Sequence, residues 1–247
     1  MAWNTEKYNV TYGAKRTTLT TIWREVFGND YPEEAEPTGF VTKTDLIRIS
    51  ELLSVGLGST ILDIGCGSGG PGLYVARELR SELVGVDLSA VAVENAKLRA
   101  DDFDMSERAR FICADVCSTG LSSDRFDGAM SVDVLHAVPD QYAVMLEVAR
   151  VLRTNAQFVI TTWESVDTGK DHYDSRLTAT GFQVEEHYDK PDWEQRQRAV
   201  CDKIIAQKES IRAEMGKAAA DPVIVEAEQT AGMLKMLRHV TISARKV

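Results

Sequence analysis

The sequence predicts an α/β protein with a doubly wound, mostly parallel seven-stranded sheet and helices on both faces. It also predicts an N-terminal helical arm and a helical insertion before the last strand. Three observations carry that expectation. Short apolar runs rich in β-branched residues alternate with segments of helical period. One such run, Leu62-Asp63-Ile64, opens directly into a glycine-rich turn, Gly65-Cys66-Gly67-Ser68-Gly69-Gly70. A long stretch of helical periodicity then separates the last two apolar runs.

Residues 1–43 are polar and aromatic, with Trp3, Tyr8, Tyr12, Trp23, Phe27, Tyr31 and Phe40. Pro32 and Pro37 interrupt any helix there, so a helical arm followed by an irregular crossing is expected. A helix then starts with Thr44 as its N-cap, carries Leu46, Ile49 and Leu53 on one face, and ends at Gly56 and Gly58. Strands are expected at Ile61–Ile64, Leu83–Asp87, Phe111–Asp115, Phe126–Val132 and Phe158–Thr162. Helices fall between them, one carrying Leu73, Ala76 and Leu79, one capped by Ser89, and one around Tyr142–Leu152. The last two strands are Gln183–Tyr188 and His239–Arg245. Between them Val200, Ile204 and Ile211, then Ala227, Ala231 and Leu234, recur at helical spacing. A connection this long is usually functional, so it is expected to cap the open end of the sheet. The resulting division is an arm or lid at 1–43, a ligand-binding domain at 44–188 and 237–247, and a cap at 189–236.

The 247 residues suffice for one core with a modest insertion. A hydrophobic content of 44% and a charged content of 27% are ordinary for a globular chain, and no run approaches a membrane span. The start lacks a basic region followed by an apolar stretch, which predicts no export signal. Cys66, Cys113, Cys117 and Cys201 form no CxxC pair, so reduced thiols in a cytoplasmic protein are expected. A formal charge of −10 argues against nucleic acid and leaves a small molecule as the partner. The oligomeric state stays open, a homodimer being one option.

The glycine turn is ambiguous by itself. Gly65, Gly67 and Gly70 satisfy the GxGxxG of a dinucleotide fold, and Asp87 lies near the distance expected of a ribose-binding acid. Three further features separate the readings. Asp63 precedes the turn, where a carboxylate would repel a pyrophosphate but suits a cationic group. The third strand ends in Ala114-Asp115, an acid able to accept from an adenine amine. Finally, Arg150-Val151-Leu152-Arg153 and a turn precede the strand Phe158–Thr162.

In that combination the sequence resembles class I S-adenosylmethionine-dependent methyltransferases of the ubiquinone-biosynthesis and natural-product type, over 44–163 and the final strand. The resemblance implies S-adenosylmethionine as cofactor. It implies that Gly65, Gly67 and Gly69 line the methionine and ribose, with Asp63 ordering the amino group. Asp87 would hold the ribose hydroxyls, Leu88 and Val116 would pack on the adenine, and Asp115 would take its amine. Ser131 would lie near the methionine end. The Lys-Pro-Gly-Gly turn usual in the family is Arg153-Thr154-Asn155-Ala156 here.

Methyl transfer requires a positioned nucleophile, excluded water and sometimes a base. His136, in Val134-Leu135-His136 after the fourth strand, is the candidate base, because similar O-methyltransferases have a histidine in this context. The acid that some of them place at the end of strand five is replaced here by Thr162 and Trp163, with Glu164 as a weak substitute. Asp133 is a nearby carboxylate whose expected role is to cap the loop. No Asp-Asn pair follows strand five, so no metal is expected. Tyr8, Tyr12, Trp23, Tyr31, Trp163 and Trp193 are the candidate substrate wall. The expected activity is methylation of a small metabolite, a hydroxyl ahead of nitrogen or carbon. A non-methylating cyclase and a non-catalytic cofactor-binding partner are the alternatives.

Overall fold

The computed structural model describes residues 5–37, 39–167 and 171–247. Trp3, counted among the arm aromatics, lies outside them. The chain begins with helices α1 (Thr5–Gly13), α2 (Thr17–Phe27) and α3 (Lys43–Leu53). Then β1 (Thr60–Ile64), α4 (Gly70–Leu79), β2 (Glu82–Asp87), α5 (Ala90–Asp102), β3 (Ala109–Cys113) and β4 (Phe126–Val132) alternate. They are followed by α6 (Gln141–Val151), β5 (Leu152–Ser165), α7 (Asp171–Ala179) and β6 (Phe182–Asp189). Three helices, α8 (Trp193–Ala206), α9 (Lys208–Met215) and α10 (Lys217–Met233), precede β7 (Leu237–Lys246).

The seven strands form one sheet in the order β3-β2-β1-β4-β5-β7-β6. Pairings from β3 through β5 are parallel, and β7 runs antiparallel to both β5 and β6. The order reverses at β1, flanked by β2 and β4, and such a switch point opens a crevice at the carboxyl ends of the strands. Alternate side chains of the strands feed two apolar cores. Leu62, Val84, Phe158 and Ile242 pack with α6 and α7, whereas Ile61, Leu83, Met130 and Val159 pack with α3, α4 and α5.

A third core belongs to neither face. Leu19, Ile22, Trp23 and Phe27 of α2, with Tyr31, pack against Val200, Cys201 and Ile204 of α8, Ile211 and Met215 of α9, and Ile224 and Ala227 of α10. The N-terminal helices and the insertion therefore share one interior. Its rim is polar: Glu214 accepts from the amides of Thr17 (2.6 Å) and Thr18 (2.8 Å), which are first-turn N–H groups of α2 with no partner inside the helix.

Several boundaries depart from the sequence reading. The N-cap of α3 is Thr42 rather than Thr44. Thr42 forms a capping box with Asp45, and Thr44 instead donates to Asp30 from its amide and hydroxyl. That helix ends at Ser54 in the left-handed region (φ 47°), before Gly56 is reached. The third strand stops at Cys113, because Asp115 leaves the ladder and bridges Ser118. The turn expected at Arg153–Ala156 is a bulge inside β5: Phe126 pairs with Leu152 and Gly128 with Gln157, and Asn155 takes φ 68°. Helix α7 had no counterpart in the sequence reading; its apolar residues are few, and it is held by buried Tyr173 and Leu177.

Among the described residues no helix is long and apolar enough to cross a membrane. The four cysteines are free thiols.

Candidate active site

The site grows from the carboxyl ends of β1 and β2. The amides of Gly65 (2.8 Å) and Cys66 (3.0 Å) donate to the Val86 carbonyl, so the chain crosses from β1 toward β2 before it turns into α4. Gly67 takes φ 52°, and a Cβ there would come within 2.7 Å of the Tyr12 hydroxyl, so a side chain would be strained and would have to displace the tyrosine. Its N–H donates to Asp87 Oδ2 (2.9 Å), while Asp87 Oδ1 accepts from the Ser89 amide (2.8 Å). Ser89 also caps α5 by accepting from Ala92.

Beneath the loop lies Asp63, 1% exposed. Gly72 in α4 makes room for it: a Cβ there would meet Asp63 Oδ2 at 2.4 Å. No hydrogen bond reaches the Asp63 carboxylate among the described residues, and burial together with the nearby Asp87 charge pushes its pKa up to about 7. Burial likewise raises Asp87, against the amide hydrogen bonds that favour its charged form. Two carboxylates, one buried without a donor, therefore face a loop that turns its backbone toward them. That donor set suits a ligand carrying a cation and vicinal hydroxyls, and opposes a pyrophosphate.

The loop opens into a cavity of about 890 Å³ lined by residues of α1, α2, the carboxyl ends of the strands, α8 and α10. Gly65, Asp87, Leu88, Asp115 and Val116 occupy one wall. Asp115 Oδ1 accepts from the Cys117 amide (2.8 Å), which fixes the carboxylate on its exposed bend. Tyr8, Tyr12, Trp23, His136 and Trp163 also line the cavity.

Other sequence-predicted positions lie elsewhere. Ser131 is fully buried and donates to the Ile64 carbonyl (3.0 Å), tying β4 to β1 instead of reaching a ligand. Gly69 packs on α5 and β3, where a Cβ would stand 2.9 Å from Ala96 and 3.1 Å from Phe111. Tyr31 is buried in the third core beneath Arg24. Trp193 stands behind Trp163, ring centroids 6.5 Å apart, and lines a separate small void beside His239.

His136 stacks on Trp163 with centroids 5.0 Å apart and planes within 8°. Its Nδ1 lies 3.5 Å from the Thr162 hydroxyl, a distance at the limit of a hydrogen bond. Burial lowers its pKa below the ordinary 6.5, opposed by the Asp133 charge and aided by His239, so the ring is neutral at neutral pH. Glu164 does not serve it. That carboxylate is turned to His187 Nε2 (3.2 Å) and to Arg238, away from the cavity. Glu164, His187 and Asp189 could together approach an ion, but the Arg238 guanidinium bridges Glu164 and Asp189 (3.3 Å to Asp189) and already supplies the positive charge.

Asp133 proves more than a loop cap. It sits at φ 55° on the cavity wall and accepts from the Phe40 amide (2.9 Å), the Thr161 hydroxyl (3.0 Å) and His239 Nε2 (2.7 Å). Burial alone would raise its pKa, yet His239, His136 and Lys190 hold it well below the usual carboxylate range. His239 and Arg16 are the site residues that sequence reading missed. The first faces Trp163 across the β5–β7 ladder, a pairing no local pattern encodes. The second lines the cavity from the α1–α2 junction.

Fold and site together define a Rossmann-like domain with an acidic cavity at its switch point. Residues 62–160 match the family described as methyltransferase domain. The chain is 30% identical over 150 residues to 27-O-demethylrifamycin SV methyltransferase of Amycolatopsis mediterranei (strain S699), 60% of this chain and 55% of that protein. It is 28% identical over 138 residues to 24-methylenesterol C-methyltransferase 2 of Arabidopsis thaliana, 54% of this chain and 38% of that protein. The aligned part thus spans about half the length of the first of these relatives and less of the second. Among solved structures, a cyclopropane synthase from Mycobacterium tuberculosis superposes with a TM-score of 0.77 at 14% identity, covering 100% of this chain and 99% of that one. The cyclase SpnF superposes with a TM-score of 0.72 at 21% identity, covering 93% and 92%. Over residues 62–160 the chain is thus similar to a methyltransferase domain.

Proposed function

We propose that this protein binds S-adenosylmethionine in the switch-point crevice and methylates a small-molecule acceptor, a hydroxyl being the favoured nucleophile. The observation that carries the reading is the buried Asp63 carboxylate, without a donor of its own, beneath a glycine loop whose Gly67 amide is held by Asp87. In this reading Asp63 faces the cofactor's ammonium, Asp87 accepts from the ribose hydroxyls, Leu88 and Val116 flank the adenine, and Asp115 accepts from its amine. When bound, the cofactor supplies an electrophilic methyl group on a sulfonium. The protein's own part is to hold the acceptor in line and dry, and to take a proton.

His136 takes that proton. It is neutral at neutral pH, lines the cavity, and is held by the Trp163 ring rather than by a carboxylate, which leaves its basicity to burial and to Asp133. Tyr8, Trp23 and Trp163, with the cavity-lining residues of α8 and α10, form the wall around the acceptor. Relatives named for O-methylation of a rifamycin and of tocopherol, and for C-methylation of sterols, support a small organic acceptor.

Calorimetry with S-adenosylhomocysteine, with Asp87→Ala as control and NAD as competitor, tests the reading. Binding that Asp87→Ala weakens about a hundredfold, the effect of losing two hydrogen bonds to a charged acceptor, with no NAD binding, supports it. NAD binding without S-adenosylhomocysteine binding overturns it. With an acceptor in hand, product mass distinguishes methylation from cyclisation.

A further inference from the structure

The cavity wall is strongly acidic: Glu36, Asp87, Asp115, Asp133, Asp221 and Glu226 line it, against the arginines Arg16 and Arg99. The two cations differ in what they already hold. Arg99 is committed, its Nη1 donating to the Ala35 carbonyl (2.7 Å) and its Nη2 to Glu36 (3.1 Å). Arg16 has no ion pair or hydrogen bond among the described residues. Its guanidinium lies over the Tyr12 ring, 5.5 Å from the centroid. Burial pushes its pKa down, opposed first by Tyr12, while Arg99 adds repulsion that outweighs either Glu36 or Tyr31 singly. An arginine cannot escape such a setting by losing its proton, so its unmet donors are best satisfied by an anion.

Tyr12 joins this cation to the glycine loop. Its hydroxyl occupies the space a Gly67 side chain would need, and its carbonyl accepts from Asn95 Nδ2 of α5 (3.0 Å). Asn9, one turn earlier, accepts from the Ser89 hydroxyl (2.6 Å). Helix α1 is thus fastened to the cofactor side of the cavity at two points. An α-amino acid group carries an ammonium and a carboxylate on one carbon. The loop has a buried carboxyl, Asp63, beneath it, and Arg16, with no ion pair or hydrogen bond among the described residues, lies over the tyrosine that covers Gly67.

We propose that Arg16 receives the carboxylate at the amino-acid end of the cofactor, so that the N-terminal arm is part of the cofactor site as well as of the acceptor wall. The proposal rests on the cofactor reading above. It assigns the arm a share of cofactor affinity, and it places Tyr12 on the cofactor side of the cavity. Arginine suits the task because its planar fork matches a carboxylate in two parallel hydrogen bonds.

The test compares S-adenosylhomocysteine with its decarboxylated analogue, 5′-(3-aminopropylthio)-5′-deoxyadenosine, by calorimetry on the full chain. Wild type is expected to prefer S-adenosylhomocysteine by roughly ten- to a hundredfold, the worth of a charge-assisted contact. Arg16→Gln should abolish that preference while leaving affinity for the analogue unchanged, and Arg16→Lys should restore part of it. Thermal unfolding of Arg16→Gln should match wild type, because no ion pair is lost. Equal preference in wild type and Arg16→Gln, or an equal loss for both ligands, overturns the proposal. Failure of wild type to bind either ligand overturns the cofactor reading and this inference with it, whereas wild-type binding with an indifferent Arg16 overturns the inference alone.

Discussion

The two sides of the cavity are built by opposite strategies. On the glycine-loop side, Asp63, Gly67 and Asp87 come from one β-α-β unit, and backbone hydrogen bonds to Val86 and Asp87 hold them together. On the arm–cap side, α2 near the N-terminus packs on α8, α9 and α10 near the C-terminus, and Glu214 reaches across the whole chain to the amides of Thr17 and Thr18. The first side places charges by local geometry, so it can be kept constant while the rest of the protein changes. The second side is a mutual apolar packing with few fixed polar contacts in the cavity, the kind of surface that can be reshaped without disturbing the glycine loop.

The sharpest way to separate the sides is His136, which lines the cavity from the sheet side. His136→Ala is expected to lower kcat by about 10²- to 10⁴-fold, the usual contribution of a positioned base, while affinity for S-adenosylhomocysteine stays at the wild-type value. Unchanged turnover would remove the base assignment. The pH profile of the wild type gives the sign. Burial depresses the pKa of the ring below 6.5, and a base must be unprotonated. The rate should therefore climb as pH rises through that depressed value and be level at neutral pH.

A smaller effect should follow from loosening the arm–cap core alone. Ile22 is fully buried there and does not line the cavity. Ile22→Ala is expected to cost about 2–5 kcal/mol. Hydrogen exchange should quicken in α2 and α8 to α10 before it does in β1, β4 and β5. Equal loss of protection in the sheet would mean that the two sides unfold as one unit.

The smallest effect concerns Glu214. Burial would raise its pKa, but its hydrogen bonds with Thr18 and Thr17 bring it down to about 2 from an ordinary 4.5. A depressed carboxyl pKa contributes stability that is complete above the unfolded value and lost as pH falls through the folded one. The arm–cap contact should therefore weaken between about pH 4.5 and 2. Glu214→Gln should flatten that acid limb of a thermal-unfolding series and cost about 1 kcal/mol near neutrality, as loss of a helix cap does. An unchanged acid limb would show that other carboxylates control it.

Much of this architecture was legible in the chain. The strand ends at Asp63 and Asp87, the Ser89 cap and the helical period across 193–233 are local patterns, and they appear where periodicity and capping chemistry put them. The misplacements are equally instructive. Thr42 and Thr44 are both plausible caps by composition; Asp30, distant in sequence, decides between them by occupying Thr44. Glu164 is at most a weak substitute for the acid that similar O-methyltransferases pair with their histidine, and the pull of His187 and Arg238 turns it away. Ser131 is fully buried, and its hydroxyl is spent on Ile64.

The sequence by itself determined the fold class, the glycine loop and the carboxylates beside it, because these depend on period, glycine placement and residue type within short stretches. Only the tertiary structure decided that the arm and cap share one core, that Asp133 meets His239, and that Arg16 is the cavity arginine with no ion pair or hydrogen bond among the described residues. Those facts arise from contacts between residues far apart in the chain. Their energies depend on which surfaces meet, and no local pattern records that.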